Sequence, residues 1–585
     1  MGKKQTLLIL GLLGLIAYAA RRQIIARWLH LPRARYDVSV ARGVRITMPD
    51  GIVLVADHYL PKTRGAFPTI LIRTPYGRDL RGAALGVLHV FVAQRFAERG
   101  YHVIVQDTRG RFDSEGEWEP FVDEARDGRA TLEWIARQPW FDGNLGLWGP
   151  SYEGYVQWAV AVDAPAYLKA MLPSVTGSQI NPYTGAAFGG DGMLRWLDNL
   201  NPPRGTLERF RVSLKRMVDP QAQSRALAPA FQHLPLAEAD QLVVGRAVPY
   251  YRKWLAEENA YTDAPFWKSI YHGGEMERVH AATHFVSGWY DILAHQLLTD
   301  YEAMRAAGHS PYLTIGPWRH LDLAGAGEAL RAGIHWFDAN LKGIRRRPRK
   351  NRGVYDLRAK PVRLFLMGAN EWIEFESWTP PSRETRLYLR DDARLATELP
   401  AADSRADHYR YDPADPTPSL GGPVYHQDGG VKDNRALEAR ADVLTYTTPP
   451  LENDVDVIGW VKAELYARSS LPHTDFFARL CDVQPDGRSL NICDGLFRIE
   501  PGNAEVGADG SARIVVDMWA TAQRFKRGHR IRLQVSSGAH PRWNRNLGTG
   551  EPIATGTRML AADQTIFHDA AHPSALMLPV YEIGS

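Results

Sequence analysis

The residue whose setting points most directly to chemistry is Ser151, in the run Gly149-Pro-Ser-Tyr-Glu-Gly154. An apolar run, 145–148, precedes it and is typical of a buried strand, while the small and apolar residues from Val156 onward are typical of a buried helix. Ser151 is therefore predicted at a strand–turn–helix corner, with its hydroxyl exposed beside the N–H groups of a helix N-terminus. This pattern indicates a nucleophile elbow, although a serine between glycines is also common in simple turns.

An aspartate and a histidine follow two later predicted strands. The strand 283–287 leads into Gly288-Trp-Tyr-Asp291, and the strand 312–315 leads into Gly316-Pro-Trp-Arg-His320. Taken singly, the aspartate suits a helix cap and the histidine a loop. Serine, aspartate and histidine in this chain order are the order of α/β hydrolases, so together they favour a catalytic triad.

The chemistry predicted from these parts is acyl transfer. Neutral His320 takes the proton of Ser151 as the serine attacks a carbonyl, and Asp291 holds the imidazole tautomer and stabilises the imidazolium. The backbone N–H of Tyr152 then faces the oxyanion. No cofactor or metal is expected, because the sequence contains no phosphate loop, no His-Glu-x-x-His and no cysteine cluster of zinc spacing.

The order of strand and helix patterns predicts the elements that position these residues. Strands alternate with helices over 36–164 and 280–343, which predicts an α/β-hydrolase domain with a mostly parallel sheet and working residues at the carboxyl ends of its strands. Residues 165–279 read as an inserted helical cap, and 344–360 as a basic linker. Short alternating strands over 361–585 predict a β sandwich, in particular a jelly roll.

Length and charge exclude some classes of function. The 585 residues are too many for one core, and a net charge of +4 gives no reason to expect a nucleic-acid partner. The two cysteines, Cys481 and Cys493, are consistent with a disulfide or with two buried thiols. The sequence leaves the oligomeric state open.

The N-terminal segment, 1–35, has the features of membrane targeting. Lys3 and Lys4 precede an apolar run from Leu7 to Ala20, and an amphipathic stretch with Trp28 follows. We expect an uncleaved membrane anchor, with a signal peptide as the alternative, and thus the membrane as a partner with its side undetermined.

Several motifs together resemble one known family. They are Arg73-Thr-Pro-Tyr76, Gln106-Asp-Thr-Arg-Gly-Arg-Phe-Asp-Ser-Glu-Gly116, Gln138-Pro-Trp140, the elbow, the two strand ends above, Trp336-Phe-Asp338 with Leu341-Lys-Gly343, and Ser536-Ser537 with Pro541-Arg-Trp-Asn-Arg-Asn546. The chain resembles the X-prolyl dipeptidyl-peptidase-like serine hydrolases of the cocaine-esterase (CocE/NonD) type, which include glutaryl cephalosporin acylases and α-amino acid ester hydrolases. The resemblance implies a hydrolase domain, a cap and a jelly roll, the triad Ser151, Asp291 and His320, and Tyr76 as an oxyanion donor beside Tyr152.

The predicted function is hydrolysis of a small-molecule acyl ester, or an amide, through an acyl-enzyme. Cap aromatics are the predicted pocket residues: Tyr183, Phe188 and Trp196. The alternatives are an X-Pro dipeptidyl peptidase and an α-amino acid ester hydrolase or acylase, which need an acidic group for the substrate ammonium. The candidates are Glu153, predicted to point away along its helix, and Asp191, which suits a turn. A catalytically inactive binding module is the third hypothesis.

Overall fold

A ten-stranded sheet forms the centre of the hydrolase domain in the computed structural model. The structure describes residues 22–582 except 185–186, 202–205, 258–264, 345–357 and 427. The strands, with the short cap hairpin β7–β8 included, are β1 (Val38–Thr47), β2 (Val53–Pro61), β3 (Phe67–Thr74), β4 (His102–Asp107), β5 (Phe141–Pro150), β6 (Leu168–Ser174), β7 (Tyr183–Thr184), β8 (Ala187–Phe188), β9 (Ala282–Tyr290), β10 (Tyr312–Arg319), β11 (Val362–Leu366) and β12 (Glu371–Phe375). The sheet order is β1-β2-β4-β3-β5-β6-β9-β10-β11-β12.

Seven neighbouring strands of this sheet, from β4 to β11 in the sheet order, run parallel, and the outer pairs are antiparallel. The central strands are apolar on both faces, as expected when helices cover both faces. In β3, Ile70 and Ile72 pack into one hydrophobic cluster, whereas Leu71 packs into the other. Because these strands are parallel, the carboxyl ends of β3, β5, β9 and β10 meet at one edge of the sheet, where the predicted catalytic residues lie.

The helices fall into two groups by position in the chain. Those of the hydrolase domain are α1 (22–28), α2 (Ala83–Ala97), α3 (Glu124–Ala136), α4 (Tyr152–Ala161), α11 (Ala294–Ala306) and α12 (Leu323–Lys342). Between β8 and β9 lie the cap helices, α5 (Gly190–Leu200), α6 (Thr206–Val218), α7 (Ala222–Gln232), α8 (Ala239–Val244), α9 (Pro249–Ala256) and α10 (Pro265–Ser269). Single 3₁₀ turns occur at Leu80–Gly82, Leu236–Glu238 and Met276–Arg278.

The C-terminal domain is built from two further sheets. Its strands are β13 (Ser382–Leu389), β14 (Leu395–Ala396), β15 (Asp407–Tyr411), β16 (Leu444–Thr447), β17 (Val455–Ser469), β18 (Thr474–Val483), β19 (Ser489–Ile499), β20 (Glu505–Val506), β21 (Ala512–Phe525), β22 (Arg530–Ser536), β23 (Ala562–Phe567) and β24 (Ala575–Tyr581), with the one-turn helix α13 (Arg435–Glu438). One sheet has eight strands and the other, β16-β22-β18-β19, has four. Cys481 and Cys493 lie on adjacent strands as free, buried thiols. The predicted fold class, an α/β-hydrolase domain with a cap and a C-terminal β sandwich, is confirmed.

The first strands after the linker join the hydrolase sheet. Leu313 to Ile315 of β10 pair in parallel with Val362 to Leu364 of β11, and β12 then pairs with β11. The sequence analysis instead predicts that all of residues 361–585 belong to the β domain. The difference arises because a strand pattern does not reveal which sheet the strand joins. Most of the predicted basic linker, 345–357, lies outside the described residues.

The predicted membrane anchor needs correction. Within the described segments of residues 22–582, no helix has the length and apolar character needed to cross a membrane. The apolar run from Leu7 to Ala20 lies outside the described residues. The amphipathic stretch after it forms α1 and packs on protein: Ala26 is buried in the same cluster as Phe96 and Tyr101. Periodicity alone does not distinguish a helix face that meets lipid from one that meets a protein core. The predictions of a transmembrane helix, a membrane partner and a membrane location are corrected accordingly.

Candidate active site

Ser151 sits at a strained corner between β5 and α4. Its φ of 56° and ψ of −122° place a non-glycine residue in a region that L side chains rarely adopt. Two glycines allow the tight approach of the chain around it. A Cβ on Gly149 would lie 2.4 Å from the Cβ of Glu153, and one on Gly154 would lie 2.4 Å from the Thr176 side chain. The Gly-x-Ser-Tyr-x-Gly pattern is thus a steric requirement of the turn.

His320 lies between Ser151 and Asp291. Its Nε2 is 3.0 Å from the Ser151 Oγ, and its Nδ1 is 2.6 Å from the Asp291 Oδ1. The three side chains come from the segments that follow β5, β9 and β10, so the parallel sheet brings together residues 169 positions apart in the chain. With Nδ1–H donated to the carboxylate, the Nε2 lone pair faces the serine hydroxyl, which is the arrangement of a general base beside a nucleophile.

Asp291 is fully buried and held by two donors besides His320. The Ser287 hydroxyl donates to Oδ2 over 2.5 Å, and the backbone N–H of Leu293 donates to Oδ1 over 3.2 Å. These bonds fix the carboxylate and compensate its burial. The sequence analysis did not assign a role to Ser287. Its position four residues before the aspartate, on the strand that leads to it, was the available signal.

The two predicted oxyanion donors, Tyr76 and Tyr152, lie in the same site as Ser151. Tyr152 is the first residue of α4, where a backbone N–H has no intrahelical acceptor. The Tyr76 hydroxyl accepts a 2.9 Å hydrogen bond from the Trp196 Nε1 and borders the same cavity as Ser151. Burial raises the pKa of Tyr76, with a smaller contribution from nearby Tyr425, so the phenol keeps its proton and remains a donor.

A cavity of about 140 Å³ opens beside Ser151, and tyrosine, tryptophan and phenylalanine side chains form much of its wall. The hydrolase domain and cap contribute Tyr76, Phe121, Tyr152, Trp196 and Trp254, and the β domain contributes Tyr425, Trp519, Arg542 and Trp543. The ring of Tyr425 lies 5.4 Å from that of His320. All three parts of the chain therefore shape the space in front of the serine.

The predicted pocket residues occupy different positions. Trp196 borders the cavity. Tyr183 and Phe188 are buried side by side in the cap packing behind it, with the Tyr183 hydroxyl donating to the Trp254 carbonyl over 3.1 Å. Sequence reasoning missed Trp254 and the β-domain residues. The run 541–546 was noticed only as a family motif, and its mixture of arginines with a tryptophan in a β-rich region was the signal.

The two acidic candidates for binding a substrate ammonium already have cationic partners. Glu153 is buried against His89, with 2.6 Å between Oε1 and Nε2. Asp191 borders the cavity, but its Oδ1 accepts a 2.6 Å bond from Arg195, and Arg542 borders the same cavity. Within the described part of the chain, no group of three or more histidine, cysteine or acidic residues is placed to hold a metal ion.

Comparisons with known proteins agree with this architecture. Residues 50–322 match the family model for the X-Pro dipeptidyl-peptidase (S15 family), and residues 357–577 match that for the X-Pro dipeptidyl-peptidase C-terminal non-catalytic domain. Cocaine esterase of Rhodococcus sp. (strain MB1 Bresler) is 33% identical, over 93% of this chain and 99% of the esterase.

Two solved structures share the fold. An α-amino acid ester hydrolase superimposes with a TM-score of 0.75 at 23% identity, over 93% of this chain and 97% of the hydrolase. An aminopeptidase from a marine sediment archaeon, Thaumarchaeota archaeon, superimposes with a TM-score of 0.74 at 22% identity, over 94% of this chain and 98% of the peptidase. At these identities the likeness establishes the fold and leaves the substrate undetermined.

Proposed function

The chain belongs to the X-Pro dipeptidyl-peptidase S15-like family of serine hydrolases, and from that premise we propose that it hydrolyses short-chain or aryl-acyl esters through Ser151, His320 and Asp291. It is an ester-hydrolysing enzyme. The observation that carries the assignment of residues is the placement of His320, 3.0 Å from the Ser151 Oγ and 2.6 Å from the Asp291 Oδ1.

The first half of the reaction forms an acyl-enzyme. The Ser151 Oγ attacks the ester carbonyl while its proton passes to the His320 Nε2, and buried Asp291 stabilises the imidazolium. The carbonyl oxygen becomes an oxyanion and accepts hydrogen bonds from the Tyr152 N–H and the Tyr76 hydroxyl. His320 then gives its proton to the departing alkoxide as the C–O bond breaks.

The second half repeats these steps with water. His320 takes a proton from a water molecule that attacks the acyl carbonyl, the same two donors stabilise the second oxyanion, and the proton returns to Ser151 as the carboxylic acid leaves. The roles of the side chains are the same in both halves, so one preorganised site serves both.

The cavity supports a small apolar acyl group. A cavity of about 150 Å³ lined by apolar side chains accommodates a single benzene ring, and the space beside Ser151 is about 140 Å³ with aromatic walls. An acetyl or benzoyl group fits this volume. Ring stacking against walls such as Trp196 and Trp254 would favour the aryl group.

The electrostatics of the cavity disfavour the exopeptidase alternative. A dipeptidyl peptidase has to neutralise the α-ammonium of its substrate inside the site, since a buried unpaired cation costs several kcal/mol. Asp191 is the acidic residue bordering the cavity, and Arg195 already pairs with it. Arg542 on the cavity wall is itself paired with buried Asp494, so this part of the wall offers no unpaired carboxylate to a substrate cation.

Parallel assays test the proposed substrate class. We expect rapid turnover of p-nitrophenyl acetate and benzoate, and slow turnover of a glycyl-prolyl anilide that does not depend on a free amino group. Ser151→Ala provides the background rate and should reduce kcat by several orders of magnitude. Efficient cleavage of the free-amine anilide, abolished by N-acetylation, would instead assign the chain to the dipeptidyl peptidases.

A further inference from the structure

The two predicted oxyanion donors lie on separate segments, and one side chain ties these segments together. Tyr76 belongs to the loop after β3, and Tyr152 begins α4. His89 of α2 contacts the residue that follows each of them. Its Nδ1 is 2.8 Å from the carbonyl oxygen of Gly77, and its Nε2 is 2.6 Å from the Glu153 Oε1.

Both contacts require a proton on the imidazole. A carbonyl oxygen only accepts hydrogen bonds, and so does an ionised carboxylate, hence both ring nitrogens of His89 act as donors and the ring is an imidazolium. Burial is the largest single effect and lowers the pKa of His89, but the charge of Glu153 and the hydrogen bonds to Glu153 and Gly77 together outweigh it and raise the pKa above the ordinary value. The result is a buried ion pair: each side chain is only 2% exposed.

The segments on both sides of this pair have little freedom to move independently of it. A Cβ on Gly82 would lie 2.3 Å from the Tyr76 carbonyl oxygen, so the start of α2 packs closely against the Tyr76 loop. A Cβ on Gly149, one residue before the end of β5, would likewise lie 2.4 Å from the Glu153 Cβ, so the start of α4 packs closely on this strand end. A shift of His89 would therefore be transmitted to both donor segments.

A buried ion pair is a poor choice for stability alone. Apolar residues of the same volume are often as stabilising, because the desolvation of two charges cancels much of their attraction. A pair that spans the two halves of a site can instead define a distance. Small errors in that distance are costly, since a displacement of about 1 Å in a catalytic group can reduce the rate by about 10²-fold.

We propose that His89 and Glu153 are positioning residues that set the separation of the Tyr76 hydroxyl and the Tyr152 N–H, so that both donors reach the same oxyanion. The inference rests on the proposed function, because it requires the oxyanion of an acyl-transfer reaction. Neither His89 nor Glu153 is among the residues that line the substrate cavity. Their effect on the reaction therefore passes through the two tyrosines.

The test is a double-mutant cycle measured on p-nitrophenyl acetate. In Glu153→Gln the neutral amide no longer favours the imidazolium, so His89 loses the proton that it donates either to Gly77 or to residue 153. We expect kcat to fall about 10-fold with KM changed less than about 2-fold. In the Tyr76→Phe background the same substitution should change kcat by less than about 2-fold, because the donor that it positions is absent.

Glu98→Gln is the matched control. Glu98 is also 2% exposed and pairs with Arg95. It lies at the C-terminal end of α2, away from His89. It should lower thermal stability and leave kcat unchanged. The double variant His89→Leu/Glu153→Leu removes the charges without leaving one unpaired, and it should fold and show the same loss of kcat as Glu153→Gln.

Two results would overturn the proposal. One is a kcat for Glu153→Gln within about 2-fold of wild type; the other is an equal loss of kcat in the wild-type and Tyr76→Phe backgrounds. Both are distinct from failure of the proposed function, which would appear as activity retained by Ser151→Ala.

Discussion

The indole Nε1 of Trp196, on cap helix α5, donates a 2.9 Å hydrogen bond to the hydroxyl oxygen of Tyr76, in the loop after β3. The bond uses a lone pair of the Tyr76 oxygen and leaves the phenol proton available for donation to an oxyanion. The cap therefore orients the side chain of Tyr76, the proposed oxyanion donor of the hydrolase domain.

Tyr76→Phe removes the predicted oxyanion donor and keeps the ring. We expect kcat to fall on the order of 10²-fold, or about 3 kcal/mol of transition-state stabilisation, with KM nearly unchanged. Steady-state kinetics on p-nitrophenyl acetate measure both constants. An increase in KM at constant kcat would show that Tyr76 only packs against the substrate.

Trp196→Phe should lower kcat several-fold, because the phenol loses the donor that orients it. Trp254→Phe is the matched control: Trp254 stacks on Trp196, and its indole nitrogen has no hydrogen-bond partner among the described residues. That variant should change KM for aryl esters more than kcat. Equal effects of the two substitutions on kcat would mean that the hydrogen bond to Tyr76 is unimportant.

Asp291→Asn should reduce kcat by about 10⁴-fold, since an amide of the same shape no longer stabilises the imidazolium or the required tautomer of His320. Ser287→Ala, which removes one of the donors to Asp291, should cost far less because Leu293 and His320 still hold the carboxylate. Comparable losses in the two variants would contradict the assignment of Asp291 as the aspartate of the triad.

Asp300 should make the protein less stable as the pH rises. Burial raises the pKa of this carboxyl to about 7, although Ser178 donates from its N–H and its hydroxyl at 2.6 and 2.7 Å. Between the ordinary pKa of 3.8 and about 7, the folded chain binds a proton that the unfolded chain has released, so stability decreases across this window. Asp300→Asn removes the titration.

Thermal denaturation from pH 4 to 8 measures this effect. The Tm of Asp300→Asn relative to wild type should rise by several degrees between the two ends of the range. Parallel Tm profiles for the two proteins would show that Asp300 is ionised at the same pH in the folded and unfolded states.

Local sequence patterns predicted the parts of the site that lie next to one another in the chain. The glycines around Ser151 imply a tight turn, and the structure shows why: an added Cβ at Gly149 or Gly154 would lie 2.4 Å from a neighbouring side chain. The strand patterns before Asp291 and His320 predicted their positions at strand ends. Pocket residues were harder to predict, because an aromatic residue of the cap faces either the cavity, as Trp196 does, or the packing behind it, as Tyr183 does.

What the sequence by itself determined was the succession of elements, the fold class and the order of the candidate catalytic residues, because strand and helix periodicity and turn chemistry are local properties. The tertiary structure alone decided which side chains meet. It paired Glu153 with His89 and Asp191 with Arg195, added Tyr425 and Arg542 from the β domain to the cavity, and packed α1 on protein. These contacts depend on how the sheets and helices pack and on which buried charges pair with one another. No single stretch of sequence encodes either.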